Sequence, residues 1–183
     1  MPPNETPTPV FADLPSLLAR LEVMGATIST EDPGLTELDH GLQCAFELSQ
    51  AAPADVELQV AGLAHDIAHG LGHIRDHGEV GGAAVRGLLG ERVAELVMLH
   101  IPAKRYLVTT DPAYRARLSL DSVQTLALQG GDMTDAEVTA FEGFSHWRDA
   151  LLLRVADEAA KVPGRSVPGL GHWRQALAAT ARA

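Results

Sequence analysis

Two adjacent residues, His65 and Asp66, stand inside the apolar segment LQVAGLAHDIAH. A carboxylate and an imidazole are costly to bury unless they are paired or bind a metal ion. Because a carboxylate has two oxygens, Asp66 could contact two cations at once, and His65 could hold one of them. The pair therefore predicts a metal centre, provided that other parts of the chain supply further ligands.

Residues of the ligating types lie in four other segments of the chain: His40, His77, His100 and Asp157. Facing helices can present such side chains to one shared pocket. A first metal would take one set of ligands: His40, His65, Asp66 and Asp157. Asp66 would bridge this metal to a second one, held by His77 and His100. Nitrogen and oxygen ligands suit iron, manganese or zinc, so these residue types leave the metal open.

Each histidine taken alone has an ordinary explanation. An isolated histidine is more often a surface residue or a hydrogen-bonded core residue than a ligand. The joint pattern is far less expected by chance, because a His-Asp pair embedded in an apolar helix is rarely structural. The combination therefore favours a metal site.

Composition restricts the partners of the protein. A chain of 183 residues with 46% hydrophobic residues is most simply one soluble domain with its own core. A net charge of −10 argues against nucleic-acid binding, which needs a basic surface. We expect a small-molecule ligand instead, and the composition does not indicate the oligomeric state.

The cysteine content and the apolar runs indicate the compartment. The single cysteine, Cys44, cannot form an internal disulfide and suits a reducing cytoplasm. No apolar run approaches 18 residues, and the N-terminus MPPNETPTPVFADLP lacks the features of a signal peptide. We therefore expect a cytoplasmic protein without a membrane partner.

The elements that position the candidate ligands are predicted to be helices. Residues 1–13 are proline-rich and predict a loose or docked arm, and residues 14–183 predict a single domain. Apolar periodicity and capping residues predict helices over 14–25, 36–52, 54–70, 79–89, 91–100, 119–128, 134–141, 146–161 and 170–181. Ile101-Pro102 predicts a helix end, with a new helix starting at Pro102. Since no alternating strand pattern is found, the predicted fold class is all-α.

The order His40, His65-Asp66, Asp157 matches the H…HD…D signature of the HD-domain superfamily, an all-α metal-binding fold. Taken alone, that signature points to phosphohydrolases at least as readily as to other functions. More closely, the chain resembles the oxygenase branch. These mixed-valent di-iron oxygenases break the C–P bond of 2-amino-1-hydroxyethylphosphonate and of its trimethylammonium analogue. The resemblance rests on HGLQCA, AHDIAH, HGEVGG, LHIPAKRYL, SLDSVQTLALQGGDM and LLLRVADEAAKVPG.

The resemblance implies a role for each matching residue. It implies an HD-domain helical bundle that holds an Fe(II)/Fe(III) pair bridged by Asp66, with an organophosphonate and O2 as substrates. The first iron would be held by His40, His65, Asp66 and Asp157, and the second by Asp66, His77 and His100. Lys104 and Arg154 resemble the phosphonate-binding residues of the family. The remaining pocket positions are His69, Ser122 and Gln129, of which His69 is expected to act in catalysis beside Asp66.

Physical reasoning from the residues supports an anion site beside the metals. Arg154 and Asp157 are three residues apart on one helix face, so a guanidinium and a metal ligand would point the same way. Lys104 would lie in the first turn after Pro102, where helix amides also favour an anion. Without the resemblance, Lys104 would be read as a solvated surface lysine, and Arg154 as a salt-bridge partner of Asp157 or Glu158.

One segment departs from the family. Characterised members carry a tyrosine that caps the resting iron and a glutamate that recognises the substrate amine, both before the first histidine. Here that segment reads STEDPGLTELDH, and both tyrosines, Tyr106 and Tyr114, lie elsewhere. The acidic residues of the segment include Glu31, Asp32 and Glu37, and Pro33 falls near the expected glutamate position. The distal group of the substrate therefore stays open.

Three functions compete at this point. The leading interpretation is an oxygenase that releases phosphate and a carboxylic acid from a 1-hydroxyphosphonate. The alternative is a metal-dependent phosphohydrolase, in which the same metals activate water on a phosphate ester or nucleotide. The third is a non-enzymatic ligand-binding module with relic ligands, and the complete ligand set argues against it.

Overall fold

A computed structural model describes residues 10–29, 34–71, 73 and 75–182 of the chain. Within these residues the protein is built from nine helices, and its only β-type pairing is the bridge between Ile28 and Thr36. The helices are α1 (Leu14–Gly25), α2 (Glu37–Ala51), α3 (Val56–Ala64), α4 (His77–Thr110), α5 (Pro112–Arg115), α6 (Leu120–Leu128), α7 (Asp135–Glu142), α8 (Trp147–Ala159) and α9 (Leu170–Thr180). The all-α prediction is confirmed. None of the described helices has the length and apolarity that a bilayer crossing requires.

The centre of the bundle is formed by α2, α3, α4 and α8, which pack against one another. Each helix contributes fully buried apolar side chains: Leu48, Leu63, Leu96 and Leu153. Burying one such side chain stabilises the fold by about 1.5–3 kcal/mol. These four helices, with the turn after α3, also carry every candidate metal ligand.

The N-terminal arm is described only from Val10 onward, because residues 1–9 lie outside the described part of the chain. Phe11 is buried, and its N–H donates to the carbonyl of Ala84 in α4 at 3.2 Å. The last residues of the arm are therefore docked on the bundle. The boundary between arm and domain stays a prediction.

Capping residues place the predicted helix starts correctly. Thr36 caps α2, its hydroxyl accepts from the N–H of Asp39, and Asp39 bonds back to the Thr36 N–H. Thr134 and Glu137 form the same reciprocal cap on α7. Such caps are worth about 1 kcal/mol each. Because its start is fixed, α2 turns His40, its fourth residue, toward the bundle centre.

The predicted helix over 54–70 is wrong at its C-terminal end. The helix α3 ends at Ala64, and the chain then continues in turns to Gly70. The N–H of His69 donates to the carbonyl of Asp66, three residues back, at 2.9 Å. The side chain of Arg20 in α1 donates hydrogen bonds to the carbonyls of Ile67 at 2.9 Å and of His69 at 2.5 Å. These long-range bonds replace the backbone hydrogen bonds that the two carbonyls would accept in a helix. Asp66 and His69 therefore lie on a turn.

The predicted break at Ile101-Pro102 is also wrong. The helix α4 runs from His77 through Pro102 to Thr110, and it is interrupted at Gly90, where the sequence had predicted the boundary between two helices. An interior proline costs about 3 kcal/mol. The buried residues Leu99, Ile101 and Ala103 on both sides of Pro102 offset that cost. The expectation that helix amides at a new N-terminus assist Lys104 is therefore wrong.

One glycine allows α2 and α3 to approach closely. A Cβ on Gly41 would lie 2.6 Å from the carbonyl oxygen of Leu63, which is closer than real side chains come. Gly41 follows His40, and Leu63 precedes His65 by two residues. This approach brings the Nε2 atoms of His40 and His65 to 3.2 Å from each other.

We expect Gly41→Ala to lower the free energy of unfolding by about 2 kcal/mol, because the added methyl group forces the two helices apart. Chemical denaturation measures this change. Gly87→Ala is the matched control, since no atom lies within 4 Å of its added Cβ. Gly87→Ala should raise the free energy of unfolding by up to about 1 kcal/mol, because alanine is more favourable than glycine at an exposed helical position. Equal effects of the two substitutions would contradict the close approach.

Candidate metal centre

The six predicted ligands meet in the middle of the bundle. They come from different elements: His40 from α2, His65 from the end of α3, Asp66 from the following turn, His77 and His100 from α4, and Asp157 from α8. All six are buried. Residues separated by up to 117 positions in the sequence thus share one small volume.

The two carboxylate oxygens of Asp66 face two different groups of histidines. Oδ2 lies 3.2 Å from Nε2 of His65 and 3.6 Å from Nε2 of His40. Oδ1 lies 3.2 Å from Nε2 of His77 and 3.6 Å from Nε2 of His100. Asp66 therefore stands between two clusters of nitrogen donors, with one oxygen for each.

Asp157 completes the first of these clusters. Its Oδ1 lies 3.1 Å from Nε2 of His40 and 3.7 Å from Nε2 of His65. Its Oδ2 accepts a hydrogen bond from Nη1 of Arg154. One oxygen of this carboxylate thus faces the histidines, and the other holds the arginine.

Three of the histidines have a tautomer fixed by backbone carbonyls. A carbonyl oxygen only accepts, so the ring nitrogen bonded to it carries hydrogen and a neutral ring then exposes a bare Nε2. This is the orientation that second-shell partners give to metal-ligating histidines. The bonds run from His40 Nδ1 to Ala160 at 3.1 Å, from His65 Nδ1 to Gly62 at 2.8 Å, and from His100 Nδ1 to Val97 at 2.6 Å.

The Nε2 nitrogens within each cluster face one another, and the donor set fits metal ions. The Nε2 atoms of His40 and His65 are 3.2 Å apart, and those of His77 and His100 are 2.9 Å apart. Two lone pairs at such distances repel unless a cation lies between them. Ligand atoms about 2.1 Å from one metal and at right angles are about 3 Å apart. Each cluster therefore has the spacing of one metal site.

The charged groups of the first cluster shift the pKa values of their neighbours. Burial raises the pKa of Asp66, but the neighbouring His65 and His69 outweigh burial and hold it well below its ordinary value. Burial lowers the pKa of His65, but Asp66 and Asp157 outweigh burial and raise it well above its ordinary value. The carboxylates of the first cluster therefore favour a positive charge beside them. A metal ion that binds there would take the place of the proton on His65.

In the second cluster, His100 favours the neutral imidazole. Burial, reinforced by the neighbouring His77 and His65, holds the pKa of His100 well below its ordinary value. A neutral ring is the form that binds a metal ion. His100 is therefore ready to act as a ligand without losing a proton.

Lys104 lies beside the two clusters and is buried, so its reading as a solvated surface lysine is wrong. Its Nζ donates to Thr125 Oγ1 at 2.6 Å and to Gln129 Oε1 at 3.0 Å. Both partners come from α6 or its C-cap. The structure therefore brings Lys104 and Gln129 together and adds Thr125 as a second partner of Lys104.

Arg154 is surrounded by four acceptors. It pairs with Asp157 and Glu158 through its two η nitrogens, which confirms the salt-bridge reading. Its Nε donates to the hydroxyl of Tyr114 at 2.7 Å, and Nη2 donates to Ser122 Oγ at 3.1 Å. Arg154 also lines the central cavity, so it forms these salt bridges and faces the candidate site at the same time.

Sequence reasoning did not predict two of these neighbours, Tyr114 and Thr125, and it gave Glu158 only as a salt-bridge partner of Arg154. Tyr114 lies in α5, a short helix that was not predicted. The four-residue spacing between Arg154 and Glu158 was the available signal for that ion pair. The contacts of Tyr114 and Thr125 are long-range and had no local signal.

A small cavity joins the clusters and the cations. Its volume is about 20 Å³, and one water needs about 10–15 Å³. The space is therefore large enough for at least one water. Its lining includes His40, Asp66, His69, His77, His100, Lys104, Gln129, Arg154, Asp157 and Lys161.

The segment before His40 is described only in part. Glu31, Asp32 and Pro33 lie outside the described residues. Glu37 is buried, and its Oε2 lies 2.8 Å from Nδ1 of His69. Among the described acidic residues of this segment, Glu37 is thus the one that contacts a site residue.

Comparison with known proteins identifies the relatives of this chain. No family model matches it. It is 39% identical over 153 residues to hydroxymethylphosphonate dioxygenase of Gimesia maris, which covers 78% of the chain and 76% of the relative. It is 33% identical over 149 residues to the glycine-betaine-forming 1-hydroxy-2-(trimethylamino)ethylphosphonate dioxygenase of Leisingera caerulea, covering 76% of each. The chain therefore belongs to the oxygenase branch of the HD-domain superfamily, the family of these two dioxygenases.

Proposed function

We propose that this protein is a di-iron oxygenase that uses O2 to cleave the C–P bond of a 1-hydroxyphosphonate. The products are phosphate and a carboxylic acid. The observation that carries the proposal is the position of Asp66, whose two oxygens each face a separate group of histidine nitrogens. A two-metal centre needs such a bridge, and the dioxygenase relatives support redox chemistry at it.

Each cluster would hold one iron. The first iron takes His40, His65, Asp66 and Asp157, and the second takes Asp66, His77 and His100. When bound, an Fe(II)/Fe(III) pair supplies the activation of O2 and the oxidation of the substrate carbon. The protein supplies the ligand tautomers, the buried surroundings and the charges that orient the substrate.

Two cations would hold the phosphonate. Lys104 offers a buried ammonium, and Arg154 offers a charged guanidinium N–H, which donates a charge-assisted hydrogen bond to a phosphonate oxygen. Among the described contacts, Arg154 uses four of its five N–H donors, so one N–H of Nη1 is available to the substrate. Gln129 fixes Lys104, and Ser122 fixes Arg154, so both cations are positioned before binding.

The distal group of the substrate is proposed to be small. The name of the 39% identical relative, which refers to hydroxymethylphosphonate, supports this. With hydroxymethylphosphonate and one O2, the balanced products are formic acid and phosphate. The trimethylammonium compound named for the second relative would require a larger space beside the irons.

Phosphate release tests the reaction class. Iron-loaded protein should release phosphate from hydroxymethylphosphonate in air and not under anaerobic conditions. Hydroxyphosphonates with larger distal groups should react more slowly. Oxygen-independent turnover of a phosphomonoester or a cyclic nucleotide, without reaction of the phosphonate, would overturn the proposal in favour of a phosphohydrolase.

We expect Lys104→Met to lower kcat/KM by about 100-fold, mostly through a higher KM. The substitution keeps the length of the side chain and removes one charged contact to the phosphonate, worth about 2–3 kcal/mol. Steady-state kinetics on the iron-loaded variant measures the change. Arg174→Met, which removes an exposed cation of α9, is the control and should keep wild-type kinetics. An unchanged KM for Lys104→Met would rule out the assigned role.

A further inference from the structure

A buried acidic residue stands behind the second group of histidines. Glu37 is the first residue of α2 and is 5% exposed. Its Oε2 lies 2.8 Å from Nδ1 of His69, and its backbone N–H donates to the Thr27 carbonyl at 3.0 Å. Both the side chain and the backbone of Glu37 are therefore held in place.

The contact with Glu37 fixes the tautomer of His69. An ionised carboxylate only accepts hydrogen bonds, so the hydrogen between the two groups belongs to Nδ1 of His69. The neutral ring then exposes a bare Nε2, which lies 3.5 Å from Oδ1 of Asp66. This is the same carboxylate oxygen that faces His77 and His100.

The backbone of His69 is fixed from the opposite side. Its N–H donates to the carbonyl of Asp66 at 2.9 Å, and its own carbonyl accepts from Nη2 of Arg20 at 2.5 Å. The ring centroids of His69 and His77 are 4.3 Å apart. The ring is thus held by α1, by α2 and by the turn that carries Asp66.

The distances to Asp66 place His69 among the ligands of the second cluster. The Nε2 atoms of His77, His69 and His100 lie 3.2, 3.5 and 3.6 Å from Oδ1 of Asp66. His69, His77 and Asp66 also have ligand atoms close enough to one another to hold one ion. His69 therefore has the same relation to this oxygen as the two expected ligands.

We propose that His69 is a third histidine ligand of the second metal, and that Glu37 is the positioning residue that keeps it in the ligating tautomer. This inference rests on the proposed two-metal function. It assigns Glu37 a role through His69 rather than in contact with the substrate. A carboxylate behind a ligating histidine also raises the basicity of the ring and hence the affinity for the metal.

Cobalt(II) binding to the full-length, metal-free protein tests the inference without relying on activity. Visible ligand-field bands and equilibrium competition with a chelator report each equivalent that binds. Wild type should take up two equivalents. In His69→Ala and Glu37→Gln the second equivalent should bind at least about 10-fold more weakly, the smallest effect expected for loss of a ligand or its partner. Its bands should change in His69→Ala, and the first equivalent should be unaffected.

Two further variants make the result decisive. His77→Ala should weaken the second equivalent, and His172→Ala, which removes an exposed histidine of α9, should leave both unchanged. If His77→Ala weakens the second equivalent while His69→Ala keeps its affinity and bands, the inference is overturned and the two-metal proposal stands. If wild type binds one equivalent, the two-metal proposal itself fails.

The folding of each variant is checked by circular dichroism of the metal-free protein. Glu37→Gln preserves the shape of the buried side chain, so it serves as the second variant should His69→Ala fail to fold. Wild-type affinity for both equivalents in Glu37→Gln would overturn the role of Glu37.

Discussion

Asp66→Ala is expected to remove both metals from the protein and to lower kcat/KM by about 1000-fold or more. Its carboxylate is the only side chain among the described ligands that faces both histidine clusters. The loss corresponds to about 4 kcal/mol of transition-state stabilisation, which is a modest share for an entire metal centre. Metal analysis and O2-dependent phosphate release measure the two effects.

Thermal unfolding provides an independent readout of the same substitution. Ligands that bind only the folded state stabilise it, so iron should raise the Tm of the wild type and leave that of Asp66→Ala unchanged. His77→Ala is the matched comparison, and it should keep the metal of the first cluster. Two tightly bound metals in Asp66→Ala would contradict the bridging role.

Arg154→Met is expected to lower the free energy of unfolding by about 3–5 kcal/mol. The substitution leaves the buried carboxylate of Asp157 and the partly buried carboxylate of Glu158 without the guanidinium that pairs with them. Breaking a buried ion pair by removing one partner has this cost. Burial lowers the pKa of Arg154, but Asp157, Tyr114 and Glu158 outweigh burial and raise it, in keeping with a guanidinium held tightly in its charged form.

Denaturation by urea measures this loss, and the same helix offers a control. Arg148 lies at the exposed side of α8 with its guanidinium carbon 4.3 Å from the centre of the Trp147 ring. Arg148→Met should cost at most about 1 kcal/mol. A loss below about 1 kcal/mol for Arg154→Met as well would show that the buried network is not stabilising.

Local sequence signals predicted the helices whose ends are set by local chemistry. Thr36, Ser119 and Thr134 cap helices at the predicted positions because each hydroxyl bonds an N–H within the same turn. The end of α3 could not be predicted, since the bonds that replace helical ones come from Arg20, far away in the sequence. The helix end predicted at Pro102 was wrong for the same reason. The packing of residues on both sides of Pro102 overrides the strong local tendency of proline to end a helix.

In the candidate site, too, features with a local sequence signal were predicted, and those that depend on long-range contacts were not. The pair His65-Asp66 predicted a metal centre, and the structure brings His40, His77 and the other expected ligands to it. The partner of His69 was not predicted, because Glu37 is 32 residues away and its side chain looks like an ordinary acidic residue at a helix start. Likewise, Tyr114 reaches Arg154 only through the placement of a helix of four residues.

The central claim is that Asp66 bridges two irons. The most direct measurement is the iron content of protein purified anaerobically with iron, together with the EPR spectrum of its partly oxidised state. We expect two irons per chain and the signal of a coupled Fe(II)/Fe(III) pair, absent from Asp66→Ala. Tightly bound zinc or manganese with no iron signal, or a spectrum of uncoupled iron alone, would contradict the claim.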